Sequence, residues 1–549
     1  MRTLFAELAD AGVRHLFVAP GSRSTPLVQA AYELAARQPP VWQMWPVLDE
    51  RAAAFAALGA SRAGQLSAVI CTSGSAVGHL LPACIEAKES GCTVVFVAAN
   101  RPARLVGLGA PQTIDQYRAM GYFARHLEVG RCPDEPRSAK VAGQIHASLF
   151  SGQPLFIDVH LDTPLALAGG DAMPVEPRDP DDAPTYDTGP MVRPGARSRV
   201  LIVAGPLPAD QAREVGPVFA SAGIHWQVLA EATSNLRPYL PPSAPLHFES
   251  WLRDPAARAS VVPDRVVRLG EWPVSKGLQL LLEDCALAQV PCTVVWPGRH
   301  SNPLGQRGVQ MKSATPASAL ARYARSSPSP ASRPWIDTMA ALDASVARRC
   351  AEVLESPAAA SNEPGLLHAF LAALPAATPV QIANSMPIRH LEAFWPRGAT
   401  AVLGFSRGVN GIDGTLATAW GRAIALDRPC WVVLGDAALL HDATSLSLLR
   451  RRPDLRVLCF DNGGGAIFDG LPAAQHVDPA VHRTFFTQPH GLDLVAVARA
   501  FGLTAEVLPG PKAAATLADW ARTGQGPQVV VAKTDAQAAR AVWGAWTGG

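Results

Sequence analysis

The chain of 549 residues is long enough for about three or four domains of ordinary size. Its content of 48% hydrophobic and 17% charged residues is typical of a globular protein with large cores. The net charge of +2 argues against nucleic acid or a membrane surface as a partner, so a small-molecule substrate is expected.

The nine cysteines are scattered without a C-x-x-C pair, and most lie in apolar surroundings, such as Cys71, Cys430 and Cys459. This pattern predicts buried free thiols in a reducing compartment rather than disulfides or zinc ligands. Residues 1–10 begin an amphipathic helix at once, and no apolar run resembles a signal peptide or spans a bilayer. The sequence therefore predicts a cytoplasmic enzyme.

The N-terminal third alternates helices with short apolar strands. A helix is predicted over 1–12, and a strand over 15–19 leads into the turn PGSRSTP, which carries Ser22 and Arg23. Free N–H groups at the next helix start and the guanidinium fork favour an anionic ligand there. A capped helix with a surface arginine explains the turn equally well.

The alternation continues with strands at 69–71 and 93–99, which lead into the polar turns TSGS and NRP. Strands that alternate with helices and end in polar turns predict a doubly wound parallel sheet. Between them, Glu50 opens an alanine-rich helix over 51–63. On its position alone, Glu50 is interpreted as a capping or dipole-pairing group.

A Pro-, Asp- and Gly-rich segment at 169–198 predicts an interdomain linker. Strands near 199–206, 265–269 and 293–296 then indicate a second, smaller α/β domain. Within it the segment GEWPVSK ends in Lys276, which by itself reads as surface charge.

A second linker is predicted at 324–334, followed by a helix over 335–356. Two further strands, 378–383 and 401–405, end in the turns NSMPIR and SRGVNGIDG. Each turn carries an arginine at the expected sheet edge, where guanidinium groups suit a dicarboxylate ligand. A pair of surface arginines is an equally good interpretation of these turns.

The most informative stretch is 435–468. A buried strand at 431–434 ends in Gly435-Asp436, a helix is predicted over 439–450, and the strand 455–460 ends in Asp-Asn-Gly-Gly-Gly. Carboxylate, amide and backbone oxygens suit Mg²⁺, and the glycines let the backbone approach a diphosphate. The alternative is an ordinary strand-to-helix turn followed by a glycine-rich loop.

These motifs resemble those of thiamine-diphosphate-dependent enzymes. The Gly-Asp to Asn stretch resembles their diphosphate-binding motif, although Ala437 stands where many members have glycine. The segments PGSRSTPL, DER, CTSGSA, NRP and GAPQTIDQ, in that order, resemble the 2-succinyl-5-enolpyruvyl-6-hydroxy-3-cyclohexene-1-carboxylate synthases of menaquinone biosynthesis. The resemblance extends over nearly the whole chain.

The resemblance implies an α/β protein of three doubly wound parallel-sheet domains with the thiamine-diphosphate-binding fold. These would be a pyrimidine-binding domain at 1–180, a central domain at 195–335 and a diphosphate- and Mg²⁺-binding domain at 345–549. It further implies a homodimer or a dimer of dimers, with active sites at the subunit interface.

The same resemblance assigns roles to individual residues. Glu50 is implied to hydrogen-bond N1′ of the cofactor's aminopyrimidine and so to promote loss of the thiazolium C2 proton. Mg²⁺, with Mn²⁺ as the alternative metal, is implied to be bound by Asp436, the Asn462 side chain and the Gly464 carbonyl. Ile412, Ile467 and Phe468 complete the implied cofactor site, with Ile412 beneath the bent cofactor.

The implied reaction is decarboxylation of 2-oxoglutarate, followed by addition of the resulting carbanion to isochorismate. The resemblance implies that isochorismate is bound by Arg23, Arg101, Gln112 and Lys276. It implies that 2-oxoglutarate is bound by Ser385, Arg389 and Arg407. Ser22 is implied to bind substrate without assignment to either one. Gly277 departs from the family pattern, because some members have a second basic residue there.

Three alternatives stay open on the sequence. The first is another thiamine-diphosphate enzyme, either acetolactate synthase-like or a 2-oxo-acid decarboxylase. The second is a nucleotide-dependent oxidoreductase, although residues 107–112, GLGAPQ, lack the third glycine of a dinucleotide-binding turn. The third is a non-catalytic homologue.

Overall fold

The structure is a computed structural model. It describes residues 1–130, 138–163, 165, 199–221, 227–296, 302–305, 310–312, 333–510 and 512–547. The linker predicted at 169–198 lies outside the described residues, as does the linker at 324–334 up to residue 332. The domain boundaries therefore stay predictions.

Three sheets organise the chain, and every strand pair in them is parallel. In chain order the strands are β1 His15–Val18, β2 Gln43–Pro46, β3 Ser67–Cys71, β4 Val95–Asn100, β5 Arg125–Val129, β6 Leu155–His160, β7 Val200–Ala204, β8 Gln227–Ala230, β9 Arg265–Leu269, β10 Cys292–Val295, β11 Gln310–Lys312, β12 Pro379–Ile382, β13 Val402–Gly404, β14 Cys430–Gly435, β15 Leu455–Asp461, β16 Ala505–Val507 and β17 Val529–Lys533. The predicted α/β fold with three parallel sheets is confirmed.

Helices connect these strands. In chain order they are α1 Arg2–Asp10, α2 Thr25–Ala35, α3 Glu50–Arg62, α4 Ser75–Glu89, α5 Gln116–Met120, α6 Ser138–Ser151, α7 Ala209–Ser221, α8 Phe248–Trp251, α9 Pro255–Val261, α10 Lys276–Leu287, α11 Arg333–Leu354, α12 Pro357–Ala360, α13 Glu363–Ala373, α14 Met386–Ala393, α15 Thr415–Leu426, α16 Asp436–His441, α17 Leu446–Leu449, α18 Pro479–His482, α19 Leu494–Ala500, α20 Ala513–Thr523 and α21 Ala536–Thr547. No helix within these described segments has the length and hydropathy needed to cross a bilayer.

The strand order fixes where ligands can bind. The first sheet has the order β2-β1-β3-β4-β6-β5 and the third has β13-β12-β14-β15-β17-β16. In each of these sheets the strand order reverses beside the strand that comes first in the chain. The reversal lies between β1 and β3 in the first sheet and between β12 and β14 in the third. Ligands of open α/β sheets bind outside the carboxyl ends of strands at such a reversal.

One predicted element is wrong. The single helix expected over 439–450 is instead α16, a 3₁₀ turn at Ala443–Ser445 and then α17. The interruption falls at Asp442, which is fully buried and accepts hydrogen bonds from the N–H groups of Leu416 and Ala417. The helix is interrupted because the buried Asp442 carboxylate accepts hydrogen bonds from the start of another helix. The spacing of apolar residues in the sequence does not reveal this interaction.

The described chain clusters into two compact units. The first comprises Met1–Thr185, Ser406–Arg428 and Asp442–Arg452, and the second comprises Tyr186–Phe405, Pro429–His441 and Pro453–Gly549. The first unit therefore contains the first sheet together with α15 and α17, which come from much later in the sequence.

Helices α3 and α15 pack closely within the first unit because small residues meet at their crossing. A Cβ atom at Gly59 would overlap the carbonyl oxygen of Thr418, and one at Gly421 would overlap that of Ala56. Trp420 fills the space beside this crossing, with its ring 5.7 Å from that of Phe17. Glycine is required at both positions because backbone, not a flexible side chain, lies opposite.

We expect Gly421→Ala to destabilise the first unit by at least about 3 kcal/mol, because the added methyl group has to push two helix backbones apart. Thermal unfolding followed by circular dichroism measures the effect. The matched control is Gly78→Ala in α4, where a Cβ meets nothing within 4 Å and the helix favours alanine. Equal melting temperatures for the two variants would contradict this packing argument.

The second unit holds the other two sheets. Asn235, in a left-handed conformation after β8, accepts from the Leu403 N–H at 2.7 Å and donates to the Leu403 carbonyl at 3.1 Å. Arg237, in the same loop after β8, forms a buried ion pair with Glu392 of α14. These contacts join the loop after β8 to β13 and α14.

Candidate active site

The predicted site residues share one structural position. Most of them lie in the loop or helix start that directly follows the carboxyl end of a parallel strand. Three lie further on: Gln112 later in the loop after β4, and Ile467 and Phe468 in a 3₁₀ helix past the turn after β15. The strands concerned are β1 for Ser22 and Arg23, β2 for Glu50, β4 for Arg101 and Gln112, β9 for Lys276, β12 for Ser385 and Arg389, β13 for Arg407 and Ile412, β14 for Asp436, and β15 for Asn462, Gly464, Ile467 and Phe468. This is the edge at which α/β sheets bind ligands.

In the second unit, Asp436 and the glycine loop meet directly. Because β14 and β15 are neighbours, with Gly435 opposite Phe460, the residues that follow them lie side by side. The Asp436 Oδ2 atom accepts the N–H groups of Gly463 and Gly464, both at 2.8 Å. The structure therefore brings the predicted carboxylate and the predicted glycine loop together.

Asn462 points an unpaired oxygen into this loop. Its Nδ2 group donates to Glu363 Oε1 at 2.8 Å, whereas its buried Oδ1 has no hydrogen-bond partner. Although burial favours the neutral acid, the hydrogen bonds from His390 and Asn462 keep the pKa of Glu363 below its ordinary value. An ionised carboxylate only accepts hydrogen bonds, so Glu363 holds the amide with Oδ1 facing away from it.

The donor set fits a hard divalent cation. A carboxylate, an orphaned amide oxygen and a backbone carbonyl are the oxygen ligands that Mg²⁺ accepts. Burial and the neighbouring Asp461 raise the pKa of Asp436, which indicates that a positive charge is favourable here. Gly464 has φ +150°, and a Cβ there would overlap the Thr487 carbonyl oxygen, so only glycine brings its carbonyl to this place.

Two further ionisable side chains, His490 and Asp461, adjoin Asp436 and were not singled out from the sequence. His490 Nε2 lies 3.3 Å from Asp436 Oδ2 and 3.5 Å from Asp461 Oδ1, and Lys533 pairs with Asp461. Asp461 was read only as part of the loop. No local motif marks His490, because it is 54 residues from Asp436 in the chain.

Ile467 and Phe468 lie in a 3₁₀ helix over Ala466–Gly470, directly after the glycine loop. The Phe468 side chain is 39% exposed, and its ring lies 6.0 Å from that of Phe486. Phe485 beside it is 66% exposed. The predicted pocket-lining residues therefore form part of an apolar surface next to the Asp436 loop.

Ser385 occupies a strained backbone conformation, with φ +71° immediately before α14. Non-glycine residues in this region cost free energy and cluster at functional sites. Arg389, one turn later, donates from Nη1 to the Ser385 carbonyl at 2.6 Å. Burial lowers the pKa of Arg389, with Glu249 opposing this effect. The two predicted substrate-binding residues are thus joined to each other.

Lys276 is the first residue of α10, and its ammonium group lies 3.6 Å from Glu283 with half of the side chain exposed. The structure explains the departure at Gly277. A Cβ there would lie 2.9 Å from the Glu249 carbonyl oxygen and from Leu252 Cβ. The close approach of α8 therefore excludes any side chain at 277, including a basic one.

In the first unit, three turns join around Ser73. Arg101 donates from Nη1 to Ser73 Oγ, and Gln112 Nε2 donates to the Ser73 carbonyl at 3.0 Å. Gln112 has φ +56°, a second strained position among the predicted substrate-binding residues. Arg23 donates to the Leu161 carbonyl at 2.9 Å, and burial together with nearby Arg23 lowers the pKa of Arg101.

Two guanidinium groups close enough for Arg23 to help lower the pKa of Arg101, after burial, mark a concentration of positive charge. This arrangement favours an anionic ligand beside Arg23 and Arg101. Ser22, in the same turn, is exposed, and its carbonyl accepts from Thr25 Oγ1 at 2.7 Å.

Glu50 is the first residue of α3, and the helix start is capped by its neighbour. Asp49 accepts from the N–H groups of Arg51 at 2.8 Å and Ala52 at 3.3 Å. The capping role considered for Glu50 thus belongs to Asp49, which leaves the Glu50 carboxyl group for another purpose. Leu48, two residues earlier, is 83% exposed.

The loop after β13, with Arg407 and Ile412, belongs to the first unit and is held by Glu86 of α4. Glu86 is buried, and its carboxylate accepts from the Gly408 N–H at 2.9 Å and the Val409 N–H at 2.8 Å. Arg62 donates to the same carboxylate at 3.1 Å. Glu86 was not singled out from the sequence, because its loop partners Gly408 and Val409 lie more than 300 residues away.

We expect Glu86→Gln to raise about tenfold the KM for 2-oxoglutarate, the substrate that the family resemblance assigns to Arg407, because the amide NH₂ leaves one loop N–H unsatisfied and displaces Arg407. Steady-state kinetics with the oxo acid varied checks this. Glu89→Gln, on the same helix, is the matched control and should keep the KM. An unchanged KM in Glu86→Gln would show that the loop does not depend on this carboxylate.

Comparison with protein families finds two matches, one in the N-terminal and one in the C-terminal part of the chain. Residues 1–119 match the family described as thiamine pyrophosphate enzyme, N-terminal TPP binding domain. Residues 372–532 match the family described as thiamine pyrophosphate enzyme, C-terminal TPP binding domain. The first range contains Glu50 and the second contains Asp436 and Asn462.

Whole-length relatives narrow the comparison. A protein of Chloroflexus aurantiacus named 2-succinyl-5-enolpyruvyl-6-hydroxy-3-cyclohexene-1-carboxylate synthase is 34% identical over 89% of this chain and 86% of its own length. Proteins with the same name from Synechococcus elongatus and Rubrobacter xylanophilus are each 34% identical, over 90% and 91% of this chain and 86% and 89% of their own lengths.

Proposed function

Because the chain belongs to the family of 2-succinyl-5-enolpyruvyl-6-hydroxy-3-cyclohexene-1-carboxylate synthases, we propose that it decarboxylates 2-oxoglutarate and adds the resulting carbanion to isochorismate. It is a thiamine-diphosphate-dependent transferase of menaquinone biosynthesis. The structural observation that carries the proposal is the buried, unpaired Oδ1 of Asn462 beside Asp436.

Thiamine diphosphate, when bound, supplies a thiazolium that acts as the electron sink for both bond changes. The residues of this chain hold it and manage protons. Asp436, Asn462 Oδ1 and the Gly464 carbonyl would bind Mg²⁺, or Mn²⁺ in its place, and the loop N–H groups would face the diphosphate. Glu50 would hold a hydrogen bond at N1′ of the aminopyrimidine, a position for which Asp49's capping role leaves it available.

The arginines account for the two acidic substrates. Arg389, hydrogen-bonded to the strained Ser385, would bind a carboxylate of 2-oxoglutarate, and Arg407 is assigned to the same substrate on the family resemblance. Arg23 and Arg101 form the positive site that suits the carboxylates of isochorismate, with Gln112 fixed against Ser73. Lys276 would add a third cation from α10, and Ser22 a hydroxyl.

We further propose that the active unit is a homodimer or a dimer of dimers with active sites at the subunit interface. Large exposed apolar side chains beside the predicted site support this, since such surfaces mark protein contacts. Leu48 next to Glu50 is 83% exposed and Phe485 near Phe468 is 66% exposed. Light scattering after size exclusion should give twice or four times the mass of one chain.

The cytoplasm is the compartment that we propose for this enzyme. The eight described cysteines are free thiols, and all but Cys92 are buried. Burial raises the pKa of Cys84 and of Cys285 to about 12, so their thiols stay protonated and unreactive. Free thiols of this kind are typical of proteins in a reducing compartment.

The direct test is turnover with Mg²⁺, thiamine diphosphate, 2-oxoglutarate and isochorismate, followed by loss of the isochorismate ultraviolet band. We expect loss only when all four components are present. Release of CO₂ without isochorismate loss would keep the first half-reaction and reject the acceptor. Release of CO₂ from pyruvate instead of 2-oxoglutarate would favour an acetolactate synthase-like enzyme or a decarboxylase.

Absence of CO₂ release from either oxo acid, with cofactor shown to be bound, would favour a non-catalytic homologue. Spectra of the purified protein with NAD(P) or a flavin test the oxidoreductase alternative. Each outcome therefore separates the proposed synthase from one named rival.

A further inference from the structure

Three side chains of types that can ligate a metal ion meet on the first sheet, in the first unit. Glu128 lies on β5 directly opposite Asp158 on β6, and His160 follows two residues later on the same strand. Because strand side chains alternate, these three residues lie on one face of the sheet. Their nearest nitrogen and oxygen ligand atoms all lie within 4.8 Å of one another.

The tautomer of His160 is set by the backbone. Its Nδ1 atom lies 2.7 Å from the Arg101 carbonyl oxygen, which can only accept, so Nδ1 carries the proton. In the neutral ring, Nε2 then presents a lone pair. This Nε2 is buried without a hydrogen-bond partner, and the side chain is 4% exposed.

The lone pair of Nε2 faces two carboxylates. It lies 3.7 Å from Glu128 Oε1 and 3.9 Å from Asp158 Oδ2. Both distances exceed the usual length of a direct hydrogen bond. Two ligands bound at about 2.1 Å to one ion lie about 3.0–3.4 Å apart at octahedral or tetrahedral angles, so side-chain movements of a few tenths of an ångström bring both carboxylates within reach of a shared cation.

Asp158 is held ready for this position. Its Oδ2 accepts from Asn100 Nδ2 and its Oδ1 from Gln116 Nε2, both at 2.9 Å. Each carboxylate oxygen keeps a second lone pair, so these bonds orient the group without exhausting it. Hydrogen-bonded ligands of this kind are usual around protein metal ions.

A cavity of about 160 Å³ opens onto the cluster. It is lined by all three side chains and by Asn100, Gln116 and Tyr117. Since one water occupies about 30 Å³ in the liquid, the cavity has room for several waters. It therefore offers both an entry path and water ligands for an ion held by three protein groups.

We propose that Glu128, Asp158 and His160 form a divalent transition-metal site, separate from the Asp436 loop and suited to Zn²⁺, Co²⁺ or Mn²⁺. One imidazole nitrogen and two carboxylate oxygens are the donor set that these ions accept, with water in the remaining positions. The ion fixes the His160 ring, and through Nδ1 it holds the backbone of Arg101.

The test uses the full-length protein treated with chelator and then titrated with Zn²⁺ or Co²⁺ without thiamine diphosphate. Bound metal is counted by elemental analysis, and Co²⁺ is followed by its visible absorption. We expect one equivalent to disappear in Glu128→Gln and in His160→Gln. The affinity loss should exceed the roughly 10–100-fold that follows removal of an outer hydrogen-bond partner.

Two control variants locate the site. Asp436→Ala should still bind the equivalent of metal assigned to the Glu128 cluster, because Asp436 belongs to the other unit. His79→Gln should also bind it, because His79 is an exposed histidine of the first unit outside the cluster. Glu128→Gln is the decisive variant, because its side chain is 26% exposed and the change keeps its shape. Equal metal content and affinity in wild type and Glu128→Gln would overturn the proposal, as would wild-type protein that binds no Zn²⁺ or Co²⁺ at all.

Discussion

Asp436→Ala is expected to weaken thiamine diphosphate binding at least about 100-fold and to reduce turnover to background, because it removes the carboxylate that we propose as a direct metal ligand. The change does more than delete a charge. The Asp436 carboxylate also accepts the N–H groups of Gly463 and Gly464, so the loop loses its anchor. Asn462 keeps its orientation through its hydrogen bond to Glu363. The proposed metal site, however, is left with only neutral oxygen ligands from the protein.

Isothermal titration of the variant with thiamine diphosphate at fixed Mg²⁺ measures this loss. Asp519→Ala, which removes a largely exposed carboxylate of α20, is the control and should bind normally. Thermal unfolding of both variants separates loss of the site from loss of the fold. Normal cofactor affinity in Asp436→Ala would show that Asp436 and the glycine loop after β15 are not the diphosphate site.

Glu50→Gln is expected to lower kcat by about 10²–10⁴-fold while the affinity for thiamine diphosphate changes less than in Asp436→Ala. The magnitude is that of a single positioned acid or base. Helix α3 should keep its start, because Asp49 and not Glu50 provides the cap. Glutamine has the same shape as glutamate but cannot exchange a proton at N1′ of the aminopyrimidine.

Steady-state turnover and cofactor titration of the same preparation give the two quantities. Glu33→Gln is a suitable control, since Glu33 forms a surface ion pair with Arg2 and such pairs contribute little. An active Glu50→Gln enzyme would refute the activating role. Loss of cofactor binding equal to that of Asp436→Ala would instead make Glu50 mainly a binding residue.

The sequence predicted the parallel sheets and their ligand-binding edge because both depend on local patterns, whereas most individual site residues were implied by the family resemblance. Apolar runs identify parallel strands, and a polar turn after each run identifies the ligand-binding edge. Asp436 and Asn462 were predicted to adjoin one another, and β14 beside β15 confirms this. The roles assigned to them stay predictions, to be decided by the experiments above.

The supporting partners could not be predicted, because they come from distant parts of the chain. Glu363, which orients Asn462, lies 99 residues away, and Glu86 reaches Gly408 across 322 residues. A buried glutamate in an apolar helix carries no local mark of its partner. The break in the predicted 439–450 helix has the same cause, since Asp442 is drawn to the start of α15.

The crossing of α3 and α15 also sets an order of events during synthesis. The first unit needs α15, yet its last residue, Leu426, leaves the ribosome 241 residues after Thr185 (426 − 185). At roughly 5–20 residues per second this is a delay of about 12–48 s. Throughout this delay α3 lacks the packing partner that covers its Gly59 face. An N-terminal fragment ending at residue 185 is therefore an incomplete folding unit, although it contains every strand of its sheet.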